Sequence, residues 1–335
     1  MNSPTWLADS SKHVSFHLDD DPIKMVDVGA AGAPPPHQKC LAAVSHYLGF
    51  DPDQRLPQSG NLFGFRKHTT LGYAITASDA GEVTFNLTEN PECSSVLRPD
   101  MEETGRYSIG GFFKVIGKKS VPAITLNRAL AQADISAVDW LKLDTQGTDL
   151  DILQSLSAEQ LAQVLVVDVE PGVSAFYANE NRLSEIHEYM LSHGFWLADL
   201  NQQRFPRMSV ATKNSVQLTA EQLNSLGQNP FALELQYFRT IESLRSRPTT
   251  TRDCYVFWLL AMANGHRSYA IEIASAGVAH GLSKPLSEEL IRISLEESQR
   301  IVAAGQETPI ERILRLVTPP VLTKLVRRIV GPGNS

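Results

Sequence analysis

Cysteine is scarce and scattered: Cys40, Cys93 and Cys254 are the three in 335 residues. An odd number of distant thiols excludes a disulfide framework and a Cys-rich zinc site, and it suits a reducing cytoplasm. No apolar run reaches the roughly 18 residues that a membrane span needs. Basic residues are the minority, 30 Lys plus Arg against 37 Asp plus Glu, giving a net charge of −7 and a pI near 5.7. A bare nucleic-acid binder is more often basic, so no nucleic-acid partner is expected. The N-terminal stretch MNSPTWLADSSKHVSFHLDDD has neither a basic start nor an apolar core, which excludes a secretory signal. A cytoplasmic location follows as the expectation. What is present, 42% hydrophobic and 20% charged residues, excludes collagen-like, low-complexity and disordered classes. The length suits about two domains, with core enough to need no covalent or metal staple.

Residues 1–23 read as a polar leader. From Lys24 the pattern changes. IKMVDVG reads as a buried strand, GAAGAPPP as a loop, HQKCLAAVSHY as a helix opened by Pro36, and LGFD as a second strand. Further strands are expected at LFGF, LGYAITA, EVTFNLT, VDWLKLD, QVLVVDVE, FWLADL and RMSVAT. Helices are expected at ITLNRALAQADI, LDILQSL and RLSEIHEYMLSHG. Residues 91–111 have no clear period and read as a long functional loop. Alternation of strand and helix over 24–212 predicts an α/β domain: a mostly parallel sheet with helices on both faces.

Residues 218–330 read as an all-α extension, with PFALELQYFRTIESL, RDCYVFWLLAMANG and RSYAIEIASAGVAHG among its helices. Its last stretch is basic and amphipathic, with Arg312, Arg315, Lys324, Arg327 and Arg328 against Glu307 and Glu311. Two readings stand for residues 308–330: a helix pair packed on the protein or on a homodimer partner, or a peripheral contact with the anionic inner face of a membrane.

The chemistry concentrates at strand ends. Asp27-Val28-Gly29-Ala30-Ala31-Gly32 closes the first strand, where small residues let the backbone turn and approach a ligand. Asp51 ends the second strand, 22 residues after Gly29, and an acid there can accept both hydroxyls of an adenosine ribose. A dinucleotide site wants a third glycine and free amides. Here Ala33-Pro34-Pro35-Pro36 removes donors, which disfavours a phosphate cradle and a nicotinamide oxidoreductase. Asp27 suits a cationic ligand such as a sulfonium.

VDVGAAG, LGFDPD, TFNLTENPECSSVLRPD, VDWLKLDTQGTDLDIL and VVDVEPGVSAFYANENRLSEIHEYMLSHGFWLADL, in this order over residues 24–212, resemble the FkbM-type S-adenosylmethionine-dependent methyltransferases. The resemblance implies a class I, Rossmann-like methyltransferase fold. It also implies O-methylation of a hydroxyl on a sugar, glycan or glycosylated metabolite, as in polysaccharide biosynthesis. By motif, Asp27, Gly29, Ala30 and Gly32 match the family's cofactor loop, although Ala31 stands where Asn is frequent. Asp51, Pro52 and Asp53 match its ribose-binding motif, and Ala77, Ser78 and Asp79 its adenine side. Asn90, Ser94 and Ser95 match a segment near cofactor and acceptor.

LKLDTQG places Asp144 at a strand end beside the expected methyl donor. It can take the hydroxyl proton, or ligate a Mg²⁺ shared with Glu170, 26 residues on. It can also be a helix N-cap for TDLDILQSL. Lys142 shares its face at period two and can pair with it. Tyr177 and Asn179 are candidates for the acceptor pocket. Cys93 reads as a small buried thiol rather than a nucleophile, and His187 and His193 as surface or packing residues. A degenerate, non-catalytic cofactor module carrying a helical interaction region is the alternative. Three retained acids, Asp27, Asp51 and Asp144, weigh against it.

Overall fold

The computed structural model describes residues 4–303 apart from 11–12, 14–16, 32–33, 35, 54, 56–60, 62 and 246. Ten strands occur among them. β1 is Ile23–Val28, β2 Ser45–Phe50, β3 Lys67–Leu71, β4 Ala74–Thr76, β5 Gly81–Thr88 and β6 Val115–Thr125. β7 is Trp140–Leu143, β8 Val166–Val169, β9 Phe195–Phe205 and β10 Asn229–Arg239. The main sheet has the order β3-β2-β1-β7-β8-β10-β9, and β4-β6-β5 form a small second sheet. β3, β2, β1, β7 and β8 run parallel, and β10 is antiparallel to both its neighbours.

The central strands IKMVDV, WLKL and VVDV are apolar nearly throughout because both faces of the sheet are covered. Alternation then sorts their side chains. Met25, Trp140 and Val166 enter one core, whereas Val26, Val28, Leu141, Leu143, Val167 and Val169 enter the other. The second core is closed by helices Leu126–Gln132, Asp149–Ser155 and Leu183–Ser192, through residues such as Ile152 and Ile186.

The first core is closed by helices from the C-terminal part, Thr251–Ala263, Arg267–Gly277 and Lys284–Ala303. Helix Thr251–Ala263 buries every side chain from Cys254 to Met262, as a helix at the centre of a core must. Trp6 of helix Thr5–Asp9 sits edge-on to Trp258 at 6.0 Å. The residues read as a leader therefore contribute to the same core.

Several expectations are corrected. The helical extension does not begin at 218: PFALELQYFR lies in β10, inserted between β8 and β9, and the all-helical part starts after it. Residues 36–44 form a 3₁₀ helix, and β2 takes Ser45, His46 and Tyr47. LFGF forms no strand among its described residues; β3 begins at Lys67. Of LGYAITA, Leu71 ends β3 and Ala74–Thr76 form β4, and helix Val210–Ser215 replaces the strand expected at RMSVAT. Within residues 91–111 lie a short turn, Pro91–Cys93, and helix Met101–Thr104. No described helix is long and apolar enough to cross a membrane. Residues 308–330 and their proposed contacts lie outside the described residues.

Candidate active site

The chain order reverses at β1, whose neighbours are β2 and β7. Ligands of open α/β sheets bind beyond the carboxyl ends of strands at such a switch point. Gly29 turns the chain there with φ +87°, and the Gly29 and Ala30 amides both donate to the Phe50 carbonyl, at 2.9 and 3.0 Å. The Asp144 amide donates to the Val28 carbonyl at 2.9 Å. The ends of β1, β2 and β7 are thus bound into one floor.

On this floor Asp27, Lys142 and Asp144 form an ionic cluster. The Asp27 carboxylate accepts from the Tyr47 hydroxyl at 2.7 Å and from Lys142 Nζ at 3.2 Å. Lys142 Nζ is also 3.5 Å from Asp144 Oδ2. Burial pulls the Lys142 pKa down, but the Asp27 and Asp144 charges outweigh it and hold the ammonium well above its usual range. Asp144 Oδ1 accepts from Gln146 Nε2 at 2.7 Å. Glu170 follows β8; burial first, then the Asp144 charge, push its carboxyl up to about 10. Glu170 Oε1 also accepts from Gln203 Nε2 at 2.8 Å. Burial and the neighbouring carboxyl both favour a proton on Glu170.

Asp144 caps no helix. Its oxygens engage Gln146 and Lys142, and the turn is organised by the buried Asp149. Asp149 accepts from the Thr145 amide at 3.0 Å, the Thr145 hydroxyl at 2.6 Å and the Glu170 amide at 3.2 Å. Gln146 has φ +57° and Gly147 φ +115°, a sharp bend that returns the Gln146 side chain over Asp144. The Gln146 Oε1 lies 2.9 Å from the Tyr177 hydroxyl, which is also 2.8 Å from the Cys93 carbonyl.

The cluster opens into a cavity of about 460 Å³, within the range of small-molecule sites. Gly29, Asp51, Pro52 and Asp53 line it from the β1 and β2 ends, and Lys142, Asp144 and Glu170 from β7 and β8. Asn90, Ser94 and Tyr177 line it from the loops. Burial pushes Asp51 up to about 6, and the charges of Asp53, Asp144 and Asp27 add to this against a hydrogen bond from the Asp53 amide.

Other candidate residues have different partners. The Asp53 carboxylate is engaged by Arg55 at 2.6 Å, and Arg55 also donates to Ser94 Oγ at 2.7 Å and to the Thr88 carbonyl at 2.8 Å. That network ties the β2 loop to the end of β5. Asn90 accepts from the Glu92 amide and holds the Pro91–Cys93 turn. Ser95 does not line the cavity; its hydroxyl donates to the Gln146 and Thr145 carbonyls. Ser78 and Asp79 are exposed and outside it as well. Asp79 accepts from the Thr125 amide and from Arg128, and Tyr73, Ala74 and Ile75 line the cavity instead. Gly32 lies outside the described residues.

Burial pushes the Cys93 thiol up to about 12, as an inert thiol requires. His187 bonds the Tyr237 hydroxyl and His193 the Tyr189 carbonyl, both away from the cavity. Tyr47, Gln146 and Gln203 were not anticipated. Only Gln146, inside LKLDTQG, carried a signal.

The donor set does not fit a metal ion. Among the described residues no group of three or more His, Cys, Asp or Glu could hold one. Burial and the Asp144 charge favour a proton on Glu170, and Lys142 stands 3.5 Å from Asp144, where it would repel a dication. The shared Mg²⁺ expected at Asp144 and Glu170 is therefore not retained.

A seven-stranded, mostly parallel sheet with helices on both faces, a glycine turn after its first strand and acids at the ends of β7 and β8 define a class I methyltransferase fold. Residues 31–197 match the methyltransferase FkbM domain, and the chain carries that domain. A solved structure of the 16S rRNA (adenine(1408)-N(1))-methyltransferase from Catenulisporales acidiphilia with its cosubstrate SAM is similar at 12% identity. The match covers 72% of this chain and 92% of that one, with a TM-score of 0.26. No curated protein matches.

Proposed function

We propose that the protein transfers a methyl group from S-adenosylmethionine to a hydroxyl of a sugar, glycan or glycosylated metabolite. The observation that carries this reading is the Asp144 carboxylate. It lies at the switch point, faces the cavity, and is held by Lys142 and Gln146, with Glu170 lining the same cavity.

S-adenosylmethionine, when bound, supplies a methyl group on a sulfonium, open to in-line displacement. Gly29 lets the floor of the site come close to that ligand. Asp51 accepts the ribose hydroxyls, with Pro52 shaping the turn beside it. Asp27 keeps Lys142 upright. Asp144 takes the proton of the attacking hydroxyl. Glu170, its carboxyl pushed up by burial and by the Asp144 charge, does not compete with that base for the proton. Tyr177, through Gln146, fixes the orientation of that base from the acceptor side.

Calorimetry with S-adenosylhomocysteine tests the reading. Wild type is expected to bind it, and Asp51→Ala to bind it about tenfold more weakly or worse, through the loss of a charge-assisted hydrogen bond. Absence of binding by the folded wild type would refute the reading.

A further inference from the structure

The cavity has two contrasting linings beyond Asp144. One is aromatic. Phe176 and Phe231 stack at 4.3 Å and 23°, Phe205 meets Phe231 edge-on at 5.3 Å, and Phe113 lies 5.8 Å from Phe231. All four rings line the cavity. Phe113 is also 5.8 Å from the Tyr177 ring, whose hydroxyl leads through Gln146 to Asp144. The wall is therefore continuous with the reacting carboxylate.

The other lining is acidic. Glu92 and Glu234 are exposed and line the cavity, and Glu180 lines it deeper. Among the described lining residues Lys142 is the one Lys or Arg, and its ammonium is already held by Asp27 and Asp144. An entering anion would meet carboxylates at the rim, lose its hydration, and find no uncommitted cation inside. Like charges brought together in a confined site repel and weaken binding. A ring with an apolar face would instead meet the part of these rings that reaches the cavity, Phe113, Phe176 and Phe231 being otherwise packed on one another at 2%, 3% and 6% exposed, and that contact needs no charge.

We propose that the acceptor is a non-anionic, ring-bearing alcohol that lays its apolar face on the Phe176–Phe231 wall, and that carboxylate- or phosphate-bearing acceptors are refused. The proposal rests on the methyltransferase reading and narrows it. Uronic acids, sugar phosphates and nucleotide-linked sugars are excluded as acceptors. Transfer therefore takes place on a sugar or other ring compound after any activating phosphate has left, so the class of reaction that supplies the substrate is a completed glycosyl or group transfer.

The test uses the full chain saturated with S-adenosylhomocysteine. Matched ligands are added: neutral aryl and alkyl glycosides, the corresponding uronic acids, and their phosphate esters. Saturation-transfer NMR from the protein's aromatic protons reads contact with the wall, and competition gives relative affinity. The neutral members are expected to bind about tenfold more tightly than either anionic partner. Phe231→Leu, which keeps an apolar side chain but loses the ring face, is expected to weaken the neutral ligands about fivefold. Glu234→Lys is expected to narrow the gap between neutral and anionic members about fivefold. S-adenosylhomocysteine affinity serves as the folding control in both variants.

An anionic member that binds as well as its neutral partner would overturn the proposal. So would a silent panel, or a Phe231→Leu protein with unchanged neutral-ligand affinity. Failure of the wild type to bind S-adenosylhomocysteine would instead overturn the methyltransferase reading, and this proposal with it.

Discussion

Gly29 passes so close to Asp144 that a Cβ on it would stand 1.9 Å from the Asp144 carbonyl oxygen. Backbone cannot give way there, because the Asp144 amide is itself bonded to Val28 and the Gly29 amide to Phe50. The glycine also holds φ +87°, a conformation that costs other residues about 1–2 kcal/mol. Gly29→Ala is therefore expected to lose about 3 kcal/mol or more of stability, the sum of that strain and the overpacking. Urea unfolding measures it. The same variant is expected to lose S-adenosylhomocysteine binding, because separating the ends of β1 and β7 opens the floor of the site. A stability within about 0.5 kcal/mol of wild type would show that the close approach is not a constraint.

Replacing the base without changing its shape separates chemistry from binding. Asp144→Asn keeps an acceptor oxygen for Gln146 but cannot take a proton. Methyl transfer is expected to fall by about 10²–10⁴-fold, the usual worth of a positioned base. S-adenosylhomocysteine affinity, read by calorimetry, is expected to stay within about threefold, since the ribose acceptor Asp51 is untouched. Full activity in this variant would move the proton to another acceptor.

Gln146 is a positioning residue, and its amide can be removed with little change of volume. Gln146→Met is unbranched and tolerates the site sterically, but it gives Asp144 no donor and Tyr177 no acceptor. The Tyr177 hydroxyl keeps the Cys93 carbonyl as a partner, so the fold survives. The expected result is kcat about tenfold lower with KM nearly unchanged, because a misaligned base is felt in the transition state. A raised KM with unchanged kcat would make Gln146 a substrate contact instead.

How much of this was legible in the sequence depended on whether a local rule and the tertiary environment agreed. IKMVDVG, WLKLD and VVDVE end in the residues that form the site because buried parallel strands are apolar and then stop at polar ends. The shared face of Lys142 and Asp144 followed from period two alone. β10 was misread as helix. Leu233, Leu235 and Tyr237 do alternate with Glu234 and Gln236, but the eleven-residue stretch is also long enough for a helix and is followed by helical segments. Trp6 looked like part of a polar leader because its partner, Trp258, is about 250 residues away in sequence. Ser78 and Asp79 were placed by motif, but Asp79 is turned outward by Thr125 and Arg128. The pairing of Asp144 with Glu170 follows from their places at neighbouring strand ends, but the rise of the Glu170 carboxyl carries no sequence signal, since it depends on burial in the finished fold.

The raised Glu170 carboxyl has a pH signature. The Glu170 carboxyl rises from an ordinary 4.5 to about 10 in the folded protein. Between those values the folded state holds a proton that the unfolded state has released, so raising the pH favours unfolding. Asp51 and Asp168, raised to about 6, and Glu180, raised to about 7, add to the slope at lower pH. Between about pH 7 and pH 8 the remaining slope belongs mainly to Glu170, and towards pH 9 the raised thiols of Cys40, Cys93 and Cys254 join it. The thermal midpoint of wild type is therefore expected to fall between about pH 7 and pH 9. Glu170→Gln, which resembles the protonated acid, is expected to flatten that fall. Parallel profiles for the two proteins would mean that Glu170 is ionised in the fold.

The C-terminal helices are bound to the sheet by a buried ion pair as well as by packing. Arg252, in helix Thr251–Ala263, donates to both Asp139 oxygens at 2.7 and 2.8 Å and to the Pro22 carbonyl at 2.9 Å. Asp139 also accepts from the Lys24 amide, so one carboxylate joins the starts of β1 and β7 to the helix. Asp139 is only 4% exposed. Arg252→Met would leave it charged, buried and with the Lys24 amide as its remaining close donor, at a cost of about 3–5 kcal/mol. Adding Asp139→Asn removes the stranded charge while keeping an acceptor for Lys24. The double variant is expected to recover more than half of the loss, a coupling that a double-mutant cycle in urea measures directly. If the helices were a separate folding unit, Arg252→Met would split unfolding into two transitions and leave the sheet's midpoint where it was. One shared core and one shared carboxylate require instead a single transition, shifted as a whole.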